Sequence, residues 1–188
     1  IKGLYKILDR LRSKYPKLPM MLCSGGGGRV DYGALQYFTE YWPSDNTDPL
    51  ERIFIQWEYS YFYPAIASCN HITDWSKAPL KFRTDVAMMG KLGFDIVVSK
   101  LSQPDLEFCQ NAVKIYNSVK NIIFHGDQYR LSDPANSSIA SAMFVDTAKS
   151  KGIVFNYLVN YRYGAGSKLP VRLKGLKKTK KYSVREIN

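Results

Sequence analysis

Cysteine is scarce in this sequence of 188 residues: Cys23, Cys69 and Cys109 are odd in number, far apart, and lack the close pairing of zinc or redox sites. That argues against a disulfide scaffold and a cysteine metal centre, and free thiols are expected. No apolar run approaches the roughly 20 residues that cross a bilayer as a helix, and the opening Ile-Lys-Gly-Leu has no apolar region of the signal-peptide kind. A membrane partner is therefore not expected. Acidic residues are few, 16 against 27 basic ones, which leaves a net charge of +11. Such an excess attracts phosphate when it is gathered on one surface. The densest cluster, Lys174, Lys177, Lys178, Lys180 and Lys181 around Gly175, reads instead as a basic hairpin turn between two strands, so no nucleic-acid partner is expected. The four consecutive glycines at 25–28 have neither the spacing of the dinucleotide fingerprint nor the Lys-Ser/Thr end of a phosphate loop, so no nucleotide cofactor is implied.

What is present describes a folded protein. Hydrophobic residues make up 45% and aromatics 14% of the chain, enough for a core in one large or two small domains. Residues 3–15 carry Leu4, Ile7, Leu8, Leu11 and Tyr15 on one helical face, and Pro16 and Pro19 end that helix. The apolar run at 20–23 has no polar alternation, as in a parallel strand buried on both faces. A short turn at 32–36 precedes a second strand at 37–42. Asp48, Pro49 and Glu51 are placed as N-cap, first helical residue and capping-box partner of a helix reaching about residue 61. A third apolar run, 64–69, ends at a polar loop, 70–73. Helices are expected at 80–92, interrupted by Gly90, and at 105–122. After residue 126 the composition changes, and strands are expected at 139–145, 153–161, 171–173 and 182–187, separated by 146–152, 162–170 and 174–181.

The fold class is thus α/β followed by all-β. Three parallel strands are too few for a closed barrel, so residues 1–130 read as the latter portion of a larger α/β fold and 131–188 as a small antiparallel β-domain. Strands without neighbours should leave apolar edges, through which the chain is expected to associate as a homo-oligomer. In parallel α/β folds the loops after the strand ends build the site, and Cys23, Asp45 and His71 all fall at such ends. Glycine amides, a thiol and carboxylates without a metal cluster make an environment for a hydroxyl-rich ligand.

The segments CSGGGGRVD (23–31), WPSDNTD (42–48), ERIFIQ (51–56) and Tyr63-Pro64 before NHIT (70–73) strongly resemble the latter half of the catalytic barrel of α-galactosidases in glycoside hydrolase family 36. The likeness continues past Arg83 and Ala87 to HGDQYRL, and RLKGLKKTKKYSVREIN looks like the family's C-terminal β-domain. It implies late strands and helices of a (β/α)8 TIM barrel. It also implies retaining hydrolysis of terminal α-linked galactose, as in raffinose or melibiose, with no cofactor. Asp45 matches the family's general acid/base, Cys23 and Gly26 match sugar-binding positions suited to plain galactose, and Arg29, Asp31 and His71 are support candidates, with Arg29 and Asp31 expected to pair.

The family's nucleophile lies in a Lys-Trp-Asp motif on an earlier strand. This chain has only Trp42, Trp57 and Trp75, none in such a motif. A retaining glycosidase needs two carboxyl groups about 5 Å apart, so the chain alone is expected to be inactive and Asp45 to be solvent-accessible. Asp48 suits the helix-capping role better than Asp45 does. Two other readings stand beside this one: a transglycosylase making raffinose-type sugars, and a non-catalytic carbohydrate-binding or interaction module. The sequence departs from the family pattern at Val30, Tyr32 and 57–59. A soluble protein is implied, its compartment, cytoplasmic or periplasmic, left open.

Overall fold

The computed structural model describes residues 2–160 and 170–187. Helix α1 (Lys2–Lys14) carries the expected apolar stripe but buries only Leu8, leaving Leu4 and Ile7 exposed. Its attachment is polar: Arg12 donates to the carbonyls of Leu18 (2.6 Å) and Tyr37, and Tyr37 Oη donates to Asp9 (2.7 Å).

Four parallel strands follow: β1 (Met21–Leu22), β2 (Glu40–Tyr41), β3 (Cys69–Thr73) and β4 (Lys91–Asp95). β1 pairs with β2 and β3 with β4, and a bridge from Tyr41 to Ser68 joins the two pairs, so their order in space is the order of the chain. Helices α2 (Pro49–Tyr59) and α3 (Leu80–Ala87) connect β2 to β3 and β3 to β4. Burial on both faces, expected for residues 20–23, is not found. Leu22 is buried in a cluster with Ala34, Tyr41 and Ala67, whereas Met21 and Cys23 are exposed. The described strands form no closed barrel, so one face of β1 has no cover.

The third strand also sits later than its composition indicates. Residues 65–67 form a 3-10 turn, and the strand is the polar stretch Cys69–Thr73, read in sequence as a loop. Its polar side chains are buried with partners: Thr73 Oγ1 meets Thr47 Oγ1 at 2.6 Å. A buried polar group that is hydrogen-bonded no longer opposes the strand. Helix α3 stops at Ala87, short of the expected residue 92, and β4, missed in the sequence, begins at Lys91 within the last residues of the expected helix. Gly93 is the reason for the close pairing, since a Cβ there would lie 2.5 Å from the His71 ring.

Helix α4 (Gln103–His125) is capped by Ser102, whose Oγ accepts from the Asp105 amide at 3.3 Å. Its face of Ala112, Tyr116, Val119 and Ile123 shares one core with Ile53 and Trp57 of α2 and with Ala142, Phe144 and Phe155 beyond it. Those last residues belong to an antiparallel sheet of β5 (Asp127–Ser132), β6 (Ile139–Val145) and β7 (Gly152–Leu158). β6 was expected at its observed bounds, whereas β5 was not anticipated because Asp127, Gln128 and Ser132 carry no strand signal. The strands expected at 171–173 and 182–187 do not form, and with them goes the hairpin reading of the lysine cluster. The segment is instead held at single points, with the Lys177 amide and Tyr182 Oη both donating to the Lys149 carbonyl. The connection expected at 162–170 lies, up to residue 169, outside the described residues, as does residue 161 at the end of the strand expected from 153; β7 ends at Leu158. Among the described residues no helix is long and apolar enough to cross a membrane.

Candidate active site

Parallel pairing sets the carboxyl ends of β1, β2 and β3 on one rim, which carries Cys23, the loop 43–48 and the loop after Thr73. The glycine loop folds back on itself: the Ser24 amide donates to the Gly26 carbonyl (3.2 Å) and the Val30 amide to that of Gly27 (3.1 Å). Gly26 is buried with φ +72°, a conformation that glycine takes at no steric cost. Space demands glycine as well, because a Cβ there would stand 3.0 Å from both the Asp45 amide nitrogen and Ser44 Cα. Two residues singled out in the sequence, Gly26 and Asp45, are therefore in direct backbone apposition. Cys23 is exposed on the same rim as a free thiol; Cys69 and Cys109 are free and buried. Burial first, then the neighbouring Glu40 carboxylate, pushes the Cys69 thiol up to about 12, so it stays protonated at any ordinary pH.

Asp45 is exposed, as expected, and its Oδ1 accepts from Trp42 Nε1 at 2.9 Å. The helix cap belongs to Asp48, which accepts from the amides of Leu50 (2.9 Å) and Glu51 (3.2 Å), leaving Asp45 outside that role. Trp42 has two close neighbours: the His71 ring on β3, tilted to it with centroids 4.5 Å apart, and the Arg52 guanidinium, 4.3 Å from the indole centroid. Arg52 is 3% exposed. Its Nε donates to the Asn46 carbonyl (2.8 Å) and Nη2 to that of Ser44 (3.0 Å), while Nη1 is buried without a partner. Burial lowers its pKa to about 10, against the attraction of Asp45.

Neither Trp42 nor Arg52 stood out in the sequence. One signal was present: a cation in the first turn of α2 opposes the helix macrodipole and is disfavoured there without a tertiary partner.

The remaining candidates separate. Arg29 is exposed and makes no ion pair among the described residues, so the expected pair with Asp31 is not formed. Asp31 accepts from the Ala34 amide at 2.7 Å and braces the 3-10 turn at Ala34–Gln36 instead. A short local acceptor site costs less chain entropy than holding two exposed side chains together. Val30 packs on the cluster around Leu22, and Trp57 is core, so these two departures from the family pattern are matters of packing. Among the described residues no group of three or more His, Cys, Asp or Glu side chains is disposed to hold a metal ion.

His71 is half-buried, and burial lowers its pKa, offset in part by Asp95 and Glu40 and reinforced by Arg52. A lowered folded-state pKa means that the unfolded chain takes up its proton first as pH falls. Stability should therefore be lost as pH drops through about 6.5 towards the folded value, and be unaffected by this group above that range. With only two histidines in the sequence, thermal melts of the parent and His71→Gln between pH 7.5 and 5 isolate the effect: the variant should show a shallower acid decline.

The described residues thus form a parallel α/β unit whose rim of strand ends carries an exposed carboxylate beside a glycine loop. The chain belongs to the melibiase family, whose description matches residues 1–126. It is 34% identical over 191 residues to the α-galactosidase AgaA of Geobacillus stearothermophilus and 35% identical over 190 residues to α-galactosidase 2 of Hypocrea jecorina, in each case across 97% of this chain. It spans only about a quarter of the length of these relatives, 26% and 25%. Solved structures agree. The galactosidase domain of the α-galactosidase-sucrose kinase AgaSK superposes with a TM-score of 0.88 at 34% identity, covering 93% of this chain and 25% of that one. The family 36 α-galactosidase AgaA of Geobacillus stearothermophilus gives 0.86 at the same identity and the same two coverages, and a variant of it has been crystallised with raffinose.

Proposed function

We propose that this chain is the latter part of a retaining α-galactosidase that removes terminal α-linked galactose from sugars such as raffinose or melibiose. In this reading residues 1–130 complete a TIM barrel and 131–188 form its C-terminal β-domain. Asp45 is the general acid/base, and Cys23 and the Gly26 backbone hold the galactose. The observation that carries it is the seat of Asp45, exposed at a strand end, hydrogen-bonded from Trp42 and pressed against Gly26. A carboxyl there is open to a glycosidic oxygen, and the glycine loop beside it offers backbone rather than side chain to a sugar.

In this reading the attacking carboxylate, which retention requires about 5 Å from the first, comes from outside this chain. The test is proton NMR of raffinose turnover by the full-length protein containing this segment. Galactose should appear first as the α-anomer, and the isolated chain should release none. Initial release of the β-anomer, or turnover by the isolated chain, overturns the reading.

A further inference from the structure

Arg52 is a buried cation that no carboxylate accompanies by direct hydrogen bond or ion pair among the described residues. Burial of a charge is expensive unless it is paired, and as a loop staple an uncharged residue would serve at lower cost. Its geometry is directed at one place. The two carbonyls it binds, Ser44 and Asn46, are the residues on either side of Asp45. The face of its guanidinium lies on Trp42, whose Nε1 is the donor to Asp45 Oδ1. The His71 ring also lies against Trp42, with centroids 4.5 Å apart, and packs so closely on β4 that a Cβ at residue 93 would lie 2.5 Å from it.

We propose that Arg52 is a positioning residue for the acid/base chemistry: through Trp42 and the carbonyls of Ser44 and Asn46 it fixes both the backbone and the carboxyl orientation of Asp45. Lysine cannot substitute fully, since a single ammonium lacks the planar fork that binds two carbonyls while stacking on a ring. This inference rests on Asp45 being the acid/base, so its test separates the two ideas.

Proton donation matters for a poor leaving group and hardly at all for dinitrophenolate, which departs unprotonated. The values of kcat/KM, which report the bond-breaking step, are compared in the full-length protein for raffinose and for 2,4-dinitrophenyl α-galactoside. Asp45→Asn should lose activity on raffinose and retain it on the activated substrate. Arg52→Met should show the same selectivity with a smaller loss on raffinose, up to about 10²-fold, the scale of a small misplacement of a reacting group. Arg52→Lys should fall between Arg52→Met and the parent.

If Arg52→Met does not fold by circular dichroism, Trp42→Phe carries the test, since it keeps an aromatic ring beside the guanidinium and removes the N–H donor together with part of the indole; it too should be selective. Equal losses on both substrates, or none on either, in variants that fold and alongside a selective Asp45→Asn, overturn the role of Arg52 and leave the acid/base reading intact. An Asp45→Asn variant that loses both substrates equally overturns that reading and this one together.

Discussion

Replacing Asp45 by alanine in the full-length protein will lower kcat/KM for raffinose by on the order of 10² to 10⁴-fold, the contribution of a positioned proton donor. The side chain is exposed, so its removal leaves no cavity and the fold should be unchanged. Trp42 Nε1 now donates to Asp45 Oδ1 at 2.9 Å, and water entering the exposed position of the lost carboxylate would take over as acceptor. With an activated aryl galactoside the first step needs no acid, but the galactosyl intermediate then waits for a water that no base activates. Added azide needs no base. It should attack in place of water, raise kcat for the activated substrate and leave α-galactosyl azide as product, detectable by NMR. Failure of azide to change the rate, in a variant slow on raffinose, would show that Asp45 acts in binding and not in proton transfer.

Gly126→Ala should lower stability by about 1–3 kcal/mol, the range for forcing a methyl group into filled space, with the upper end favoured because the obstacles are rigid. A Cβ at this position would lie 2.4 Å from the Val145 carbonyl oxygen and 2.5 Å from that of Ile122. Both are backbone. One belongs to β6 and the other to the last turns of α4, where the Gly126 amide already donates to Ile122 at 2.9 Å. Relief would require parting α4 from the antiparallel sheet, and the two share a core. For a chain of this size each kcal/mol corresponds to about 2–4 °C in Tm, measurable by calorimetry. Gly3→Ala provides the contrast. Nothing lies within 4 Å of its added Cβ, and it sits in α1, so the same substitution should stabilise by about 0.4–1 kcal/mol.

The two glycines show what a sequence conceals. Gly126 follows a long helix, and its φ is −84°, an angle open to any residue. It is glycine for want of space, and that space is bounded by Val145, which lies 19 positions away. Gly26 is glycine for both reasons, and only its positive φ belongs to the loop itself.

Features governed by neighbours in the chain were legible in the sequence. The stripe of α1, the Asp48 cap with Pro49 behind it, the presence of α4 and the bounds of β6 follow from helical period, capping chemistry and apolar runs, all of which act within a few residues. The motifs around Cys23 and Asp45 likewise placed both residues in loops after strands, which is where they lie.

Pairing and burial were decided only in three dimensions. β3 is polar and becomes a strand because Thr47 and the flanking strands satisfy it; β4 and β5 carry weak local signals and exist because partners lie beside them. Residues 171–173 and 182–187 have strand-like composition but pair with no strand among the described residues and are irregular. The apposition of Gly26 with Asp45 and the contacts of Trp42 with His71 and Arg52 join residues up to 29 positions apart along the chain, from Trp42 to His71. Local preference sets which residues are able to form a helix, turn or cap, but contacts between distant segments set which side chains share a site, and that part of the protein's chemistry is written only in its tertiary structure.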